Sequence, residues 1–116
     1  MDASGSSDLD GTITTYAWDF DNDGLYDDAS GVNPTFTSTD DGSYTIYVKV
    51  TDNDGEWDTD SATVNVANVA PTADAAGPYS GNAGSDIVLD ASGSTDPGND
   101  IATYAWDFDN DGLYDD

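Results

Sequence analysis

An internal repeat constrains the fold more than any other feature. "DASGSSDLDGTITTYAWDFDNDGLYDD", Asp2 to Asp28, returns as "DASGSTDPGNDIATYAWDFDNDGLYDD", Asp90 to Asp116, an offset of 88 residues. From Tyr16 to Asp28 the two copies are identical. Solenoid units repeat every 20–50 residues or so and cannot close a core alone. A period of 88 is the size of a small domain, so the chain reads as part of a tandem array of domains. The 116 residues hold one period and 28 residues of the next.

Between the copies the pattern is that of short strands. "TTYAWDF" alternates Tyr16, Trp18 and Phe20 on one face. "SYTIYVKV" puts Tyr44, Ile46, Val48 and Val50 on one face and Thr45, Tyr47 and Lys49 on the other. "SATVNV" turns Ala62, Val64 and Val66 inward, "PTFTS" offers Phe36, and "DIVLDA" offers Ile87 and Leu89. Turns fall at Asp40–Gly42, Asp52–Gly55 and Gly81–Gly84, and no helical period is sustained. About seven short strands per period predict an all-β, antiparallel β-sandwich. In "DDGSY", Tyr44 follows a Gly turn and opens a long inner strand, as the tyrosine corner of immunoglobulin-like folds does.

Charge narrows the partners. Lys49 is the only base, against 25 acids, for a net charge of −24. Such a chain repels nucleic acid and anionic membrane and attracts cations. No stretch is long or apolar enough to span a bilayer, and no signal peptide is visible, so any secretion signal is expected outside these residues. The absence of cysteine rules out disulfides and thiolate metal sites. With no His, Cys or Arg, nucleophilic triads are excluded, and the Asp residues sit in polar turns and not in the pocket that acid catalysis by a carboxyl pair needs. The expectation is that the chain is not an enzyme. Adaptation to high salt also produces acidic proteins. Of the 25 acids, however, only Glu56 is Glu. Surface charge alone accepts either acid, whereas Asp is the one that folds back on turns and chelates from tight loops.

"DFDNDGLYDD" packs five aspartates into ten residues, twice. Aligned with a calcium loop, Asp19, Asp21 and Asp23 take positions 1, 3 and 5. Gly24 takes the sharp turn at position 6, Leu25 offers its carbonyl at 7, and Asp27 stands at 9. Position 12 is Ser30 where a bidentate Glu is expected, so the missing ligand comes from Asp28 or from a neighbouring domain. The second copy offers Asp107, Asp109, Asp111, Leu113 and Asp115. An all-oxygen donor set selects Ca2+ over zinc or copper. Two carboxylates about 4 Å apart repel by roughly 1 kcal/mol in water and roughly 4 at an effective dielectric near 20. A divalent ion reverses that cost. Further acidic clusters lie at Asp52, Asp54, Asp58 and Asp60, and at Asp8 with Asp10, matched by Asp96 and Asp100.

Several motifs in order resemble the PKD (polycystic kidney disease) domain, an immunoglobulin-like sandwich. "YAWDFDNDG" (Tyr16 to Gly24) resembles its Trp-Asp-Phe-Gly-Asp-Gly motif, and "GSYTIYVKVTDNDG" (Gly42 to Gly55) its long strand and turn. "PTADAAGPYSGNAGSDIVLDASGSTDP" (Pro71 to Pro97) resembles its opening strands. The short turn after Phe is enlarged here to "DNDGLYDD". The resemblance implies residues 1–68 as a PKD-like domain lacking its first strands (C to G), and 69–116 as the first strands (A to C) of the next. Trp18 and Trp106 become the core Trp of strand C. It also implies calcium held between the entering linker, the B–C loop and the F–G loop, at Asn68, Asp96 and, in the other copy, Asp8 with Asp52.

Two origins of the half-domains stay open: a cut through a longer array, or strand complementation, in which the A–B half of one chain completes the C–G half of another and propagates a fibre. The loop at Asp19–Asp28 is expected near the linker "VANVAP" and the Asp96 loop of the next domain, where calcium would stiffen the joint. The function expected is a calcium-stabilised structural or adhesive repeat of an extracellular, prokaryotic cell-surface protein or fibre. Its partners are neighbouring copies of the same domain. The alternative is an accessory carbohydrate- or protein-binding module of a secreted hydrolase. Its partner would be a polysaccharide or other surface ligand met by exposed Trp57, Tyr79 or Tyr26.

Overall fold

The computed structural model describes residues 1–116, which form two compact units, Met1–Asn68 and Val69–Asp116. Unit 1 is built on one antiparallel sheet of four strands: β1 (Ile13–Asp19), β2 (Ala29–Ser30), β3 (Gly42–Asp52) and β4 (Trp57–Val66), in the order β2-β1-β3-β4. The chain contains no helix. The fold is all-β and immunoglobulin-like, with four strands where about seven were expected.

The alternation in the sequence sets the faces. Trp18 stands opposite Val48 and Tyr16 opposite Val50 across β1 and β3, while Ile46 faces Ala62 and Tyr44 faces Val64 across β3 and β4. Directly opposite residues of an antiparallel pair share a face. One face therefore collects Trp18, Ile46, Val48 and Val64, and here the core forms with Ala3, Met1, Phe20 and Phe36 packed on it. Ile46 is 1% exposed and Trp18 4%. The Trp18 indole N–H donates to the Gly31 carbonyl at 2.9 Å, which removes the cost of burying it. Phe20, Phe36 and Tyr44 continue the apolar row with ring centroids 5.5 and 5.3 Å apart.

The Tyr44 hydroxyl donates to the Asp40 carbonyl at 3.1 Å and lies 2.8 Å from the Ser38 hydroxyl. This is the tyrosine-corner contact that "DDGSY" predicts. It pins the turn that opens β3.

Three expected strands do not form. "PTFTS" is extended without pairing, although Phe36 packs on the core. "DIVLDA" carries no ladder, leaving Ile87 and Val88 47% and 85% exposed. Unit 2 has a single bridge, Thr72 to Thr95, and residues 103–108 form no strand there. That last stretch repeats the sequence of β1. In unit 1 it lies along β3, whereas unit 2 holds no counterpart of β3, and a strand without a partner gains nothing from its β-propensity. Trp57 begins β4.

Candidate metal centre

The loop after β1 leaves the sheet at the end where Gly42 and Val66 lie opposite each other. Its backbone is folded around its own aspartates. Asp19, the last residue of β1, is 2% exposed, and its two oxygens accept the amides of Asn22 (2.6 Å) and Gly24 (3.0 Å). Asp21 accepts the Asp23 amide at 3.1 Å, and Asp23 accepts that of Leu25 at 2.7 Å. Such bonds close Asx turns, for which the Asp side chain is short enough and the Glu side chain is not. Gly24 sits at φ 89°, in the left-handed region where a side chain is strained, and Asn22 at φ 60° tolerates the same region better than most.

Asp28 closes the loop. Its amide donates to the Trp18 carbonyl at 3.1 Å, and its Oδ2 accepts the amides of Phe20 (2.5 Å) and Asp21 (3.2 Å). Asp28 is thereby drawn beside Asp19 and Asp21, and one carboxylate oxygen from each of the three falls within 4.8 Å of the others. Ligand oxygens held about 2.4 Å from a calcium ion lie no more than about 4.8 Å apart, so the spacing suits that ion. Carboxylates alone, without nitrogen or sulfur, suit it as well.

The second loop repeats the arrangement. Asp107 accepts from Asn110 (2.7 Å) and Gly112 (3.1 Å), Asp109 from Asp111 (3.2 Å), and Asp111 from Leu113 (2.8 Å). Asn110 and Gly112 adopt φ 59° and 90°, close to their counterparts. Here Asp107, Asp109 and Asp111 form the close group. The difference lies in the closing residue. β2 pairs with β1 directly after Asp28 and fixes it, whereas the Asp116 amide reaches the Trp106 carbonyl only at 3.4 Å. Asp116 still accepts the Phe108 amide at 2.5 Å. Asp116, the counterpart of Asp28, stands outside the close group of the second loop.

Like charge leaves a mark on Asp21. The amide of Asp23 favours its charged form, but lost hydration and the charges of Asp23, Asp28 and Asp19 outweigh that bond. The carboxyl is held above the ordinary Asp value. Asp2 and Asp90 also accept backbone amides, from Ser4 and Ser92, and both are held below the ordinary value by those serines.

The other expected ligands are not gathered. Leu25 and Leu113 donate their amides to Asp23 and Asp111 within the loops, and Asp23, Asp27 and Asp115 stand outside the close groups. Asp52 is used in its own turn, accepting the amides of Asp54 (2.8 Å) and Glu56 (3.0 Å). Neither Asp8 nor Asp54 joins it in a close acidic group. It is Asn53 that meets the loop before β1, accepting the Thr12 amide at 2.8 Å. Asp96 closes a turn onto the Gly98 amide in unit 2, and Asn68 is the last residue of unit 1.

Of the aromatics, Tyr79 uses its hydroxyl internally, within 2.9 Å of the Ala75 and Asp90 carbonyls. Trp57 is 60% exposed, and Lys49 Nζ lies 4.4 Å from its ring centre and 6.0 Å from that of Tyr26.

The sequence pattern of the PKD domain matches residues 1–66 and again 68–115. The chain belongs to the PKD domain family. The two matches fall on the two units of this PKD chain. No curated protein and no solved structure matches it. The Asp-rich loop follows the strand that carries Trp18. PKD domains are in general non-catalytic and typically extracellular modules, and no helix here is long and apolar enough to cross a membrane.

Proposed function

We propose that the two Asp-rich loops bind calcium, and that this PKD chain is a calcium-stabilised structural or adhesive repeat of an extracellular prokaryotic surface protein or fibre. The observation that carries this reading is the convergence of Asp19, Asp21 and Asp28, and separately of Asp107, Asp109 and Asp111, with no base in either loop. The backbone bonds hold the carboxylates together before any ion arrives, so little ordering cost remains at binding. The Asp19 and Asp21 oxygens that accept one amide each keep a second lone pair for a cation, and Asp28, whose Oδ2 accepts two amides, has its other oxygen to offer. The repeat supports the structural role, because an array of near-identical domains suits a spacer whose partners are neighbouring copies. The upward shift of Asp21 supports an unmet need for positive charge.

A calorimetric calcium titration of the metal-stripped chain tests the reading, with a variant carrying both Asp21→Asn and Asp109→Asn as its control. Saturable heat that the variant loses is the expected result. Absence of heat in the parent chain would return the aspartates to general adaptation to salt.

A second reading rests on Trp57, whose exposed ring on the outer face of the sheet offers a stacking surface. In that case the chain is an accessory module that retains polysaccharide or protein. Retention on chitin, cellulose or collagen, abolished by Trp57→Ala, would favour it.

A further inference from the structure

The outer face of the sheet, turned away from the core, carries one acid, and that one is buried. Antiparallel register sets the members of the face. Thr51 stands between Thr15 and Trp57, Lys49 between Ala17 and Thr59, and Tyr47 between Asp19 and Ser61. Thr45 and Thr63 extend it by one more pair. Asp19 is 2% exposed, and both its oxygens accept amides of its own loop. Asp58 and Asp60 of β4 fall on the opposite face, across from Val50 and Val48. In a chain with 25 acids and one base, that base stands in the middle of the acid-free surface.

Aromatic side chains gather there. Trp57 is 60% exposed, and Tyr47 and Tyr26 are half-buried. Lys49 Nζ lies 4.4 Å from the Trp57 ring centre and 6.0 Å from that of Tyr26, which the Asp-rich loop brings to it. An ammonium is attracted to ring faces and so holds these rings in place. Rings fixed before a ligand arrives lose little freedom on binding. Thr45, Thr59, Ser61 and Thr63 are exposed and add hydroxyls that both donate and accept.

Size and charge select the occupant. From Thr45 to Thr51 the face runs about 20 Å along β3, and β1, β3 and β4 span about 10 Å across it. That area, about 200 Å², is far below the roughly 800 Å² per partner of a standard protein interface. It fits one slim, extended chain. A polyanion is repelled on approach by the net charge of −24, and a polycation is drawn to the acidic loops instead. A neutral chain with apolar ring faces and hydroxylated edges meets both features of the surface, rings to stack on and hydroxyls to bond with.

We propose that this face binds a neutral, linear polysaccharide, with Trp57 and Tyr47 stacking on its sugar rings and Lys49, Thr59 and Ser61 donating to its hydroxyls. This rests on the second reading above and narrows it from polysaccharide or protein to one class of ligand on one surface.

Affinity electrophoresis in native gels suits a chain of this charge. Gels containing hydroxyethylcellulose, glycol chitin or soluble β-glucan are compared with gels containing polygalacturonate, all with chelator. Each chain's mobility is taken relative to its own polymer-free gel. At least one neutral polymer should retard the parent chain, and polygalacturonate should not. Trp57→Ala should weaken the retardation about tenfold or more. Thr59→Asp with Ser61→Asp, at exposed positions that leave every ring in place, should abolish it by bringing acid onto the face. Tyr114→Ala, which removes a ring 69% exposed in unit 2, should leave it unchanged. Equal retardation by polygalacturonate, or an equal loss in Tyr114→Ala, overturns the proposal. So does retention that survives the paired Asp substitutions, which would leave the second reading itself standing. No retardation by any neutral polymer overturns the proposal and the polysaccharide reading with it. Because chelator is present throughout, failure of the calcium reading would leave this result unchanged.

Discussion

Asp19→Ala is the most informative single substitution. Asp19 is nearly fully buried at the end of β1, and its carboxylate accepts the amides of Asn22 at 2.6 Å and Gly24 at 3.0 Å. A hydrogen bond to a charged group contributes about 1.5–3 kcal/mol. The loop is open enough that water can reach part of the freed backbone, so the lower end of the range is used, giving about 3 kcal/mol for the two bonds. At 4–8 °C per kcal/mol for a domain of this size, the melting temperature should fall by roughly 12–24 °C. Asp107→Ala removes the same pair of bonds from a loop with no strand pairing behind it and should cost less than half as much. Circular-dichroism melts with chelator present measure both. If Asp19→Ala and Asp107→Ala cost the same, or Asp19→Ala costs under about 1 kcal/mol, the loop is not organised around Asp19.

Four further outcomes are expected. Gly24→Ala, at φ 89° with open space around a Cβ, should cost about 1 kcal/mol through backbone strain alone, read by urea denaturation. Tyr44→Phe should cost about 1 kcal/mol in the same assay by losing the bond to Asp40. Ile46→Ala should cost about 2–5 kcal/mol, since the side chain is 1% exposed. In metal-free protein the Asp21 carboxyl should titrate above the ordinary Asp value by NMR. A raised folded pKa means that Asp21 weakens the fold when charged, so its contribution improves as pH falls through that pKa, and calcium should move the titration downward.

Sequence made some of this legible and hid the rest for physical reasons. Alternation at Tyr16, Trp18, Ile46 and Val48 is a local pattern read by long-range pairing, and where the partner strand exists the faces come out as expected. The same residues in unit 2 show the limit. "TYAWDF" is β1 in one copy and unpaired in the other, because strand formation depends on a neighbour and not on the segment. The Asp loop behaves in the opposite way. Its turns are closed by bonds two to five residues long, so both copies adopt nearly the same backbone angles. Asp28 fell outside the numbered positions of a calcium loop because β1–β2 pairing, which delivers it, leaves only a two-residue trace in the sequence. Asp52 looked like a ligand, yet its carboxylate is used by the turn that contains it.

The central claim is that a divalent cation neutralises the two loops. Its most direct test is the melting temperature of metal-stripped chain in calcium chloride against sodium chloride of equal ionic strength. A ligand at 100 times its Kd stabilises the folded state by about 2.7 kcal/mol. The calcium sample should therefore melt roughly 10–20 °C higher. Coincident melts in the two salts would mean that the aspartates respond to ionic strength alone, and the calcium account would be wrong.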